Sequence, residues 1–328
     1  MKITVIGAGG IGGTLAARLA AAGHAVAVVA RAAHLEALQA TGLSFVDAAG
    51  PDTGVYRVRA VADTASLGPQ DAVFLATKAH QLPAILPQVP ALLGASTVVI
   101  PAINGLPWWY FQGAGGAYEG WCLQSLDPDA GMPALLPWQR IIGCVLHFAA
   151  QRGIAGEVQC TAGRRIILGE PDGSDSPRLR SLAMLLETAG FAVERTRDIR
   201  RDIWVKLIGN LSFNPVAALT GYRMDQICAD EPVLTVIRAA LEEGSRVAAH
   251  LGIDVGISAE ARIDIARELG SARISMLQDL EAGRSLELEP IVGAVIEIAQ
   301  RAGIDVPASR MLYALARARA RALELPQS

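Results

Sequence analysis

One lysine and two asparagines recur at intervals of four residues in an otherwise apolar segment of this 328-residue chain. Lys206, Asn210 and Asn214 share one face of the helix that residues 202–215 predict, because side chains four apart lie above one another on a helix. Burying a cation and two amides among apolar side chains is costly unless they bind something. The spacing therefore indicates a catalytic or ligand-binding face, with a solvated polar stripe as the alternative.

A second feature with recognisable chemistry is the glycine run at the N-terminus. It follows a short β-branched segment, precedes residues of high helix propensity, and matches the G-x-G-x-x-G turn that binds dinucleotides. The first glycine permits the tight turn, the second lets backbone amides approach a pyrophosphate, and the third lets helix and strand pack closely. We interpret these residues as cofactor-binding: Gly7, Gly9, Gly10, Ile11 and Gly12.

The end of the next predicted strand indicates which dinucleotide is bound. Residues 25–30 form an apolar run, and Arg31 follows it, about twenty residues beyond the glycines. An NAD enzyme usually places Asp or Glu there to bind the ribose 2′-hydroxyl, whereas arginine suits the 2′-phosphate of NADP(H). We predict NADP(H), the alternative being that Arg31 is only a solvent-facing side chain.

The elements that must position these residues divide the chain into two predicted domains. Apolar runs at residues 72–76 and 97–103 continue the strand–helix–strand pattern of the N-terminus and predict a Rossmann-type parallel sheet. From residue 198 onward only helical patterns occur. We predict an α/β NADP(H)-binding domain at residues 1–195 and an all-helical substrate and catalytic domain at residues 196–328.

The segment between these regions has a different pattern. Residues 140–168 contain three shorter strand-like runs, with a hairpin turn predicted at Ala162-Gly163. We expect these strands to be antiparallel and to close the far edge of the parallel sheet. A helix at residues 177–188 and a strand at residues 191–194 then complete the first domain.

Composition excludes several classes of protein. Formal net charge is −3 and no basic run occurs, which argues against a nucleic-acid partner. The four cysteines form no C-x-x-C pair and have no histidines at metal-ligand spacing, so neither a disulfide framework nor a metal site is expected. Apolar runs are too short to span a bilayer. We therefore expect a cytoplasmic protein that acts on a small molecule.

Five blocks in fixed order give the chain a resemblance to a known family, the ketopantoate reductases (2-dehydropantoate 2-reductases), over nearly its whole length. The blocks are the glycine turn, Thr77-Lys78, Asn104-Gly105, the Trp204/Lys206/Asn210/Asn214-Pro215 helix, and Ser275-Met276-Leu277-Gln278-Asp279 with Gly283-Arg284 and Glu287. The resemblance implies an N-terminal Rossmann domain, a helical C-terminal domain, and NADPH-dependent reduction of a 2-keto acid to a 2-hydroxy acid, with 2-dehydropantoate reduced to pantoate.

The resemblance also implies a role for each matched residue. Lys206 corresponds to the catalytic lysine, which protonates the developing alkoxide and supplies positive charge where negative charge forms. Glu287 corresponds to the acid that binds the substrate hydroxyl and helps to hold the lysine, although Glu281 and Glu289 lie close by in the sequence. The remaining matches are Ser275 at the substrate carboxylate, Asn210 and Asn214 at the substrate, Asn104 at the nicotinamide and substrate, and Lys78 on the cofactor side.

Departures from the family pattern leave the substrate open. Met224, Ala272 and Val292 stand where members that act on ketopantoate tend to carry asparagines. The aromatic residues 108–111 line a more apolar substrate pocket, or else they belong to the core or to an oligomer contact. The long helices of the second domain leave two assemblies open, a homodimer paired through them and a two-domain monomer. Two alternatives therefore remain: reduction of another branched or aromatic 2-keto acid, and a non-catalytic NADP(H)-binding sensor.

Overall fold

The protein was analysed as a computed structural model that describes residues 1–48, 50 and 52–326. The chain forms two compact units. The first contains Met1–Ile103, Trp109–Trp121 and Gly131–Ile199, and the second contains Asn104–Trp108, Cys122–Ala130 and the residues from Arg200 onward. The domain limits taken from the sequence stay a prediction. The structure adds that two short segments of the first half of the chain pack with the second unit.

The first unit alternates strands with helices. Its elements are β1 (Lys2–Ile6), α1 (Gly10–Ala21), β2 (Ala25–Val29), α2 (Ala32–Thr41), β3 (Leu43–Asp47), β4 (Gly54–Tyr56), β5 (Arg59–Val61), β6 (Gln70–Leu75), α3 (Leu82–Ile85), β7 (Leu93–Pro101), α4 (Met132–Leu135), β8 (Gly143–Arg152), β9 (Glu157–Gly169), α5 (Pro177–Thr188) and β10 (Ala192–Arg195). Short 3₁₀ turns lie at Ala79–Gln81, Leu86–Leu92, Gly116–Tyr118 and Trp138–Arg140.

Five of these strands form a parallel sheet in the order β5-β2-β1-β6-β7. The central strands are almost wholly apolar and buried, as a parallel sheet covered on both faces requires. Because the strands are parallel, the segments that follow β1, β2 and β6 emerge at one edge of the sheet. The predicted α/β Rossmann-type class is confirmed.

The strands in residues 140–168 are antiparallel as predicted, but their number, their sheet and the position of their turn differ from the prediction. Two long strands, β8 and β9, replace the three short runs, and they belong to a second sheet of order β10-β9-β3-β4, with β8 antiparallel to β9. The hairpin turn lies between Arg152 and Glu157, where Gly156 has a φ of 86°. Ala162-Gly163 is instead a register irregularity within β9, because a glycine at φ 73° accommodates a bulge as readily as a turn.

A buried ionic cluster connects α1 to this second sheet. The guanidinium of Arg18 donates to Asp47 at 2.5 Å and to Asp52 at 2.8 Å, and Arg164 also donates to Asp47, at 3.0 Å. The side chains of Arg18 and Asp47 are 2% and 0% exposed. The Arg18 guanidinium also lies 5.6 Å from the ring centre of Phe45. Its charge is therefore paired on one side and packed against an aromatic face on another.

The second unit is helical. Its elements are α6 (Ile199–Thr220, whose first residue belongs to the first unit), α7 (Met224–Ala229), α8 (Glu231–His250), α9 (Ala259–Arg267), α10 (Ser275–Glu281), a π-helix (Glu289–Gly293), α11 (Ala294–Ala302) and α12 (Pro307–Ala322). No strand occurs between residues 198 and 326, which confirms the predicted helical class. Among the described residues, no helix combines the length and apolarity needed to cross a membrane.

A buried glutamate fixes the start of α12. Both carboxylate oxygens of Glu243, on α8, accept hydrogen bonds: Oε1 from the amide of Ala308 and Oε2 from the amide and hydroxyl of Ser309. The first amides of a helix have no partner within it, and negative charge is favourable at that end. Glu243 is 3% exposed. It therefore caps α12 from a neighbouring helix.

Replacing Glu243 with alanine is expected to lower the free energy of unfolding by about 2–4 kcal/mol, because two buried donors and one partly buried donor lose their acceptor. Urea-induced unfolding followed by circular dichroism measures the change. Glu242→Ala is the matched control. Glu242 is the adjacent residue on the same helix and is exposed, so its replacement should lower the free energy of unfolding by less than about 0.5 kcal/mol. Equal stability losses in the two variants would contradict the capping role.

Candidate active site

The predicted polar face lies on α6, in the second unit. Trp204 anchors this helix, because its buried indole Nε1 donates to the backbone oxygen of Gly244 on α8 at 3.2 Å. On the opposite side of α6, the ammonium of Lys206 donates to Oδ1 of Asn104 at 2.9 Å. These two residues are 102 positions apart in the sequence. The structure therefore brings together two of the residues that the sequence singled out.

The two asparagines of α6 differ in burial. Asn210 is partly buried and makes no side-chain hydrogen bond within the described part of the chain. Asn214 is 3% exposed, and its Nδ2 is buried with no hydrogen-bond partner among the residues that the structure describes. A buried amide donor without an acceptor is unfavourable, so it marks a place where a ligand or an ordered water supplies the missing oxygen.

A glycine contact fixes the loop that carries Asn104. Gly105 has a φ of 80°, and a β-carbon there would collide with the backbone oxygen of Pro290. The next residue, Leu106, donates its amide to that same oxygen at 2.8 Å. Pro290 belongs to the π-helix, a distortion that often occurs at functional sites. The loop of Asn104 is thus bonded to the segment immediately after Glu287.

Burial separates the three neighbouring acids. Glu281 is exposed and pairs with Arg273 at 3.1 Å. Glu289 accepts a 2.5 Å hydrogen bond from the hydroxyl of Tyr313, and burial together with this bond raises the pKa of Tyr313 to about 12. Glu287 is 8% exposed, the most buried of the three. Glu289 therefore helps to hold the π-helix against α12, while Glu287 has the burial expected of a site residue.

The remaining substrate candidates are less constrained. Ser275 is the exposed first residue of α10, and its hydroxyl makes no hydrogen bond within the described residues. At the departures from the family pattern, Met224 and Val292 are 2% and 0% exposed, and the amide of Met224 donates to the oxygen of Ala272 at 3.1 Å. Apolar packing thus occupies the positions where amides were expected.

The glycine turn of the first unit has the shape of a phosphate cradle. Gly7, at φ 103°, lies against Thr77 and Ala76, and a β-carbon on Gly12 would collide with the backbone oxygen of Gly7. A β-carbon on Gly9, by contrast, would meet nothing within 4 Å. Gly9 directly precedes α1, so open space adjoins the end of the helix that carries its free amides. The turn fits the pyrophosphate of a dinucleotide.

The other cofactor candidates follow neighbouring strands of the same sheet. Arg31 is exposed between β2 and α2, and Lys78 is partly buried after β6. Sequence reasoning missed the structural role of His34, whose Nδ1 accepts a hydrogen bond from the amide of Gly156 at 2.9 Å. Burial and the charge of Arg152 lower the pKa of His34, so it stays neutral and joins α2 to the β8–β9 turn. No local signal marks it, because Gly156 lies 122 residues away.

The aromatic run beside Asn104 belongs to the packed interior. Residues 108–111 are each at most 4% exposed. In the first unit, the ring of Phe111 lies 5.6 Å from that of Tyr118 and 5.1 Å from that of Trp121, centre to centre. Of the readings that the sequence left open, the structure supports the core.

A parallel sheet with a G-x-G-x-x-G turn, followed along the chain by a helical unit with a bonded lysine, defines the class of dinucleotide-dependent oxidoreductases. The family model described as ketopantoate reductase PanE/ApbA matches residues 3–109, and the one described as its C terminal matches residues 198–320. The chain belongs to the ketopantoate reductase family, as the resemblance predicted.

Two relatives illustrate the similarity. The 2-dehydropantoate 2-reductase of Mesorhizobium japonicum is 43% identical over 97% of each chain. A solved structure from Ralstonia solanacearum, of a protein provisionally described as a ketopantoate reductase, is 40% identical and superimposes with a TM-score of 0.93 over 99% of each chain. The similarity therefore extends over both units.

Proposed function

We propose that this protein is an NADPH-dependent reductase that converts a 2-keto acid, 2-dehydropantoate, to the 2-hydroxy acid. The observation that carries the proposal is the hydrogen bond between Lys206 and Asn104, which holds a proton donor on α6. The 43% identical relative is named a 2-dehydropantoate 2-reductase, which supports this choice of substrate. NADPH, when bound, supplies the hydride that reduces the keto carbon.

Lys206 acts on the keto oxygen. Its ammonium lowers the energy of the developing negative charge and then transfers a proton to the alkoxide, which becomes the hydroxyl of the product. Before substrate binds, Asn104 accepts a hydrogen bond from one of the three N–H groups of Lys206. This bond restricts the orientation of the long lysine side chain. The proton donor is therefore preorganised before the reaction begins.

The other site residues have supporting roles in this proposal. The unpartnered Nδ2 of Asn214 donates to an oxygen of the bound substrate, and Asn210 offers a second amide one turn earlier. Glu287 binds the substrate hydroxyl and helps to hold the ammonium. Ser275 contacts the carboxylate. Lys78 and the glycine turn bind the cofactor.

Arg31 recognises the 2′-phosphate of NADPH. Arg31→Asp is expected to raise the KM for NADPH by about 10–100-fold, because a charge-assisted contact is replaced by repulsion, while the KM for NADH stays unchanged or falls. Steady-state kinetics with both nucleotides measures this. Arg57→Asp, at an exposed position of the same unit, is the control. If the Arg31 variant kept the NADPH preference, another residue would have to bind the phosphate.

A panel of 2-keto acids tests the function. The purified protein is mixed with NADPH and with ketopantoate, branched-chain keto acids or phenylpyruvate, and loss of reduced nicotinamide absorbance is followed. We expect ketopantoate to be reduced far faster than the others. Faster reduction of another branched or aromatic 2-keto acid would show that ketopantoate is not the preferred substrate. NADPH binding without turnover of any acid would indicate a sensor.

Assembly and location complete the proposal. We infer a homodimer in the cytoplasm, with pairing through the long helices of the second unit. Sedimentation velocity measures the mass in solution, and a species of 34.4 kDa, the mass of one chain, would contradict the dimer.

A further inference from the structure

Arg262, on α9, is a partly buried cation that pairs with no carboxylate among the described residues. Its Nε is buried and has no hydrogen-bond partner, and the guanidinium forms no ion pair with any described residue. Burial lowers the pKa of Arg262, and no carboxylate offsets that effect. Two other arginines that are not exposed, Arg18 and Arg178, each bond a carboxylate. A guanidinium that is partly removed from water without a counter-ion is unfavourable, so this position favours the binding of an anion.

Helix α6 provides the seat for this guanidinium. Gly209 is buried, and a β-carbon there would collide with Arg262, at 2.7 Å from Nε and 2.8 Å from Cζ. The guanidinium therefore lies directly against the helix backbone, where any larger residue would displace it. On its own helix, α9, Ser258 caps the N-terminus by accepting from the amide of Ala261 at 3.2 Å, which fixes the origin of the arginine side chain.

The seat lies next to the predicted proton donor. Gly209 follows Lys206 by three residues and directly precedes Asn210. Residues three apart on a helix have β-positions about 5–6 Å apart. In a 2-keto acid the carboxylate is bonded directly to the carbonyl carbon, so a residue that binds the carboxylate must lie close to the group that protonates the carbonyl oxygen. Arg262 meets this requirement through its contact with α6.

We propose that Arg262 binds the carboxylate of the substrate through two N–H groups of its planar guanidinium. This inference rests on the proposed 2-keto acid reduction and names the residue that supplies the charge. Ser275, the family match for this contact, is uncharged and exposed. Met224 and Ala272 lie on α7 and just beyond α9, the helix that carries Arg262. A guanidinium thus accompanies the loss of neutral amides, and the site selects its substrate chiefly by the negative charge.

The test compares a charged substrate with its neutral analogue. Wild type, Arg262→Gln, Arg262→Lys and Gly209→Ala are assayed at saturating NADPH with the 2-keto acid and with the corresponding 2-keto amide. Arg262→Gln is expected to raise the KM for the acid about 10–100-fold and to leave that for the amide nearly unchanged. Gly209→Ala should also raise the KM for the acid, because the added methyl group displaces the guanidinium. The KM of Arg262→Lys for the acid should lie between those of wild type and Arg262→Gln, because lysine keeps the positive charge but lacks the two parallel N–H groups of the guanidinium.

Arg267→Gln, an exposed arginine on the same helix, is the matched control and should match wild type. A merely structural role for Arg262 would change both substrates equally, so an unaltered acid-to-amide ratio in Arg262→Gln and Gly209→Ala overturns the proposal. If Arg262→Gln fails to fold, Gly209→Ala and Arg262→Lys decide the question.

A binding measurement separates this proposal from the proposed function. Oxalate, a dicarboxylate, is titrated calorimetrically into the NADPH-bound protein. If wild type binds oxalate but reduces no 2-keto acid, and Arg262→Gln no longer binds oxalate, the anion site is supported and the reductase function is contradicted. If wild type reduces the 2-keto acid and Arg262→Gln binds oxalate as tightly as wild type, the function is supported and the role of Arg262 in anion binding is contradicted.

Discussion

Replacing Lys206 with methionine lowers kcat for 2-keto acid reduction by at least about a hundredfold, the lower end of a general-acid effect. Methionine fills a similar volume but has neither proton nor charge. The variant therefore loses both the proton transfer and the electrostatic stabilisation of the alkoxide. Steady-state and single-turnover measurements of NADPH oxidation give the rates.

Two controls separate chemistry from folding and from cofactor binding. Lys2→Met changes an exposed lysine at the N-terminus and should keep full activity. NADPH affinity, measured by fluorescence titration, should be the same in Lys206→Met as in wild type, because the glycine turn and Arg31 remain intact. A variant that retained near-full kcat would remove Lys206 from the mechanism.

Replacing Arg18 with methionine is expected to lower the free energy of unfolding by about 3–5 kcal/mol, the cost of leaving a buried partner charge uncompensated. Asp47, 0% exposed, would lose the guanidinium that bonds it at 2.5 Å, and Asp52 would lose its bond from Arg18. Chemical denaturation measures the change through the midpoint and slope of the transition. Arg18 lies on the helix that begins at the glycine turn, so NADPH affinity should also fall.

Arg165→Met is the matched control for this prediction. Arg165 pairs with Glu194 at 2.7 Å, but the two side chains are 50% and 55% exposed. Exposed pairs contribute about 0–1 kcal/mol, so this variant should stay close to wild type. The double variant Arg18→Met with Asp47→Leu removes both charges and should recover part of the lost stability. A loss below about 1 kcal/mol in Arg18→Met would contradict a major stabilising role.

Local patterns in the sequence were sufficient for the features that depend on near neighbours. The glycine turn, the parallel strands and the face of α6 with Lys206, Asn210 and Asn214 follow from spacings of a few residues, because helix and turn geometry are set by short-range contacts. The helix at Pro177–Thr188 was predicted to the residue for the same reason. The hairpin turn was misplaced because two glycine-containing segments, residues 153–156 and 162–163, carry similar local signals.

Long-range packing decided the remainder. The bond from Lys206 to Asn104 joins residues 102 positions apart. The guanidinium of Arg262 packs against Gly209, which lies 53 positions earlier in the chain. Side-chain burial distinguishes Glu287 from Glu281 and Glu289, and packing leaves Arg262 without a carboxylate partner in the described part of the chain. No local spacing encodes these properties, because they depend on what packs around a side chain. The sequence alone thus determined that α6 carries a polar face. Only the tertiary structure decided what that face bonds to, and that the cation beside it, Arg262, meets no carboxylate within residues 1–48, 50 and 52–326.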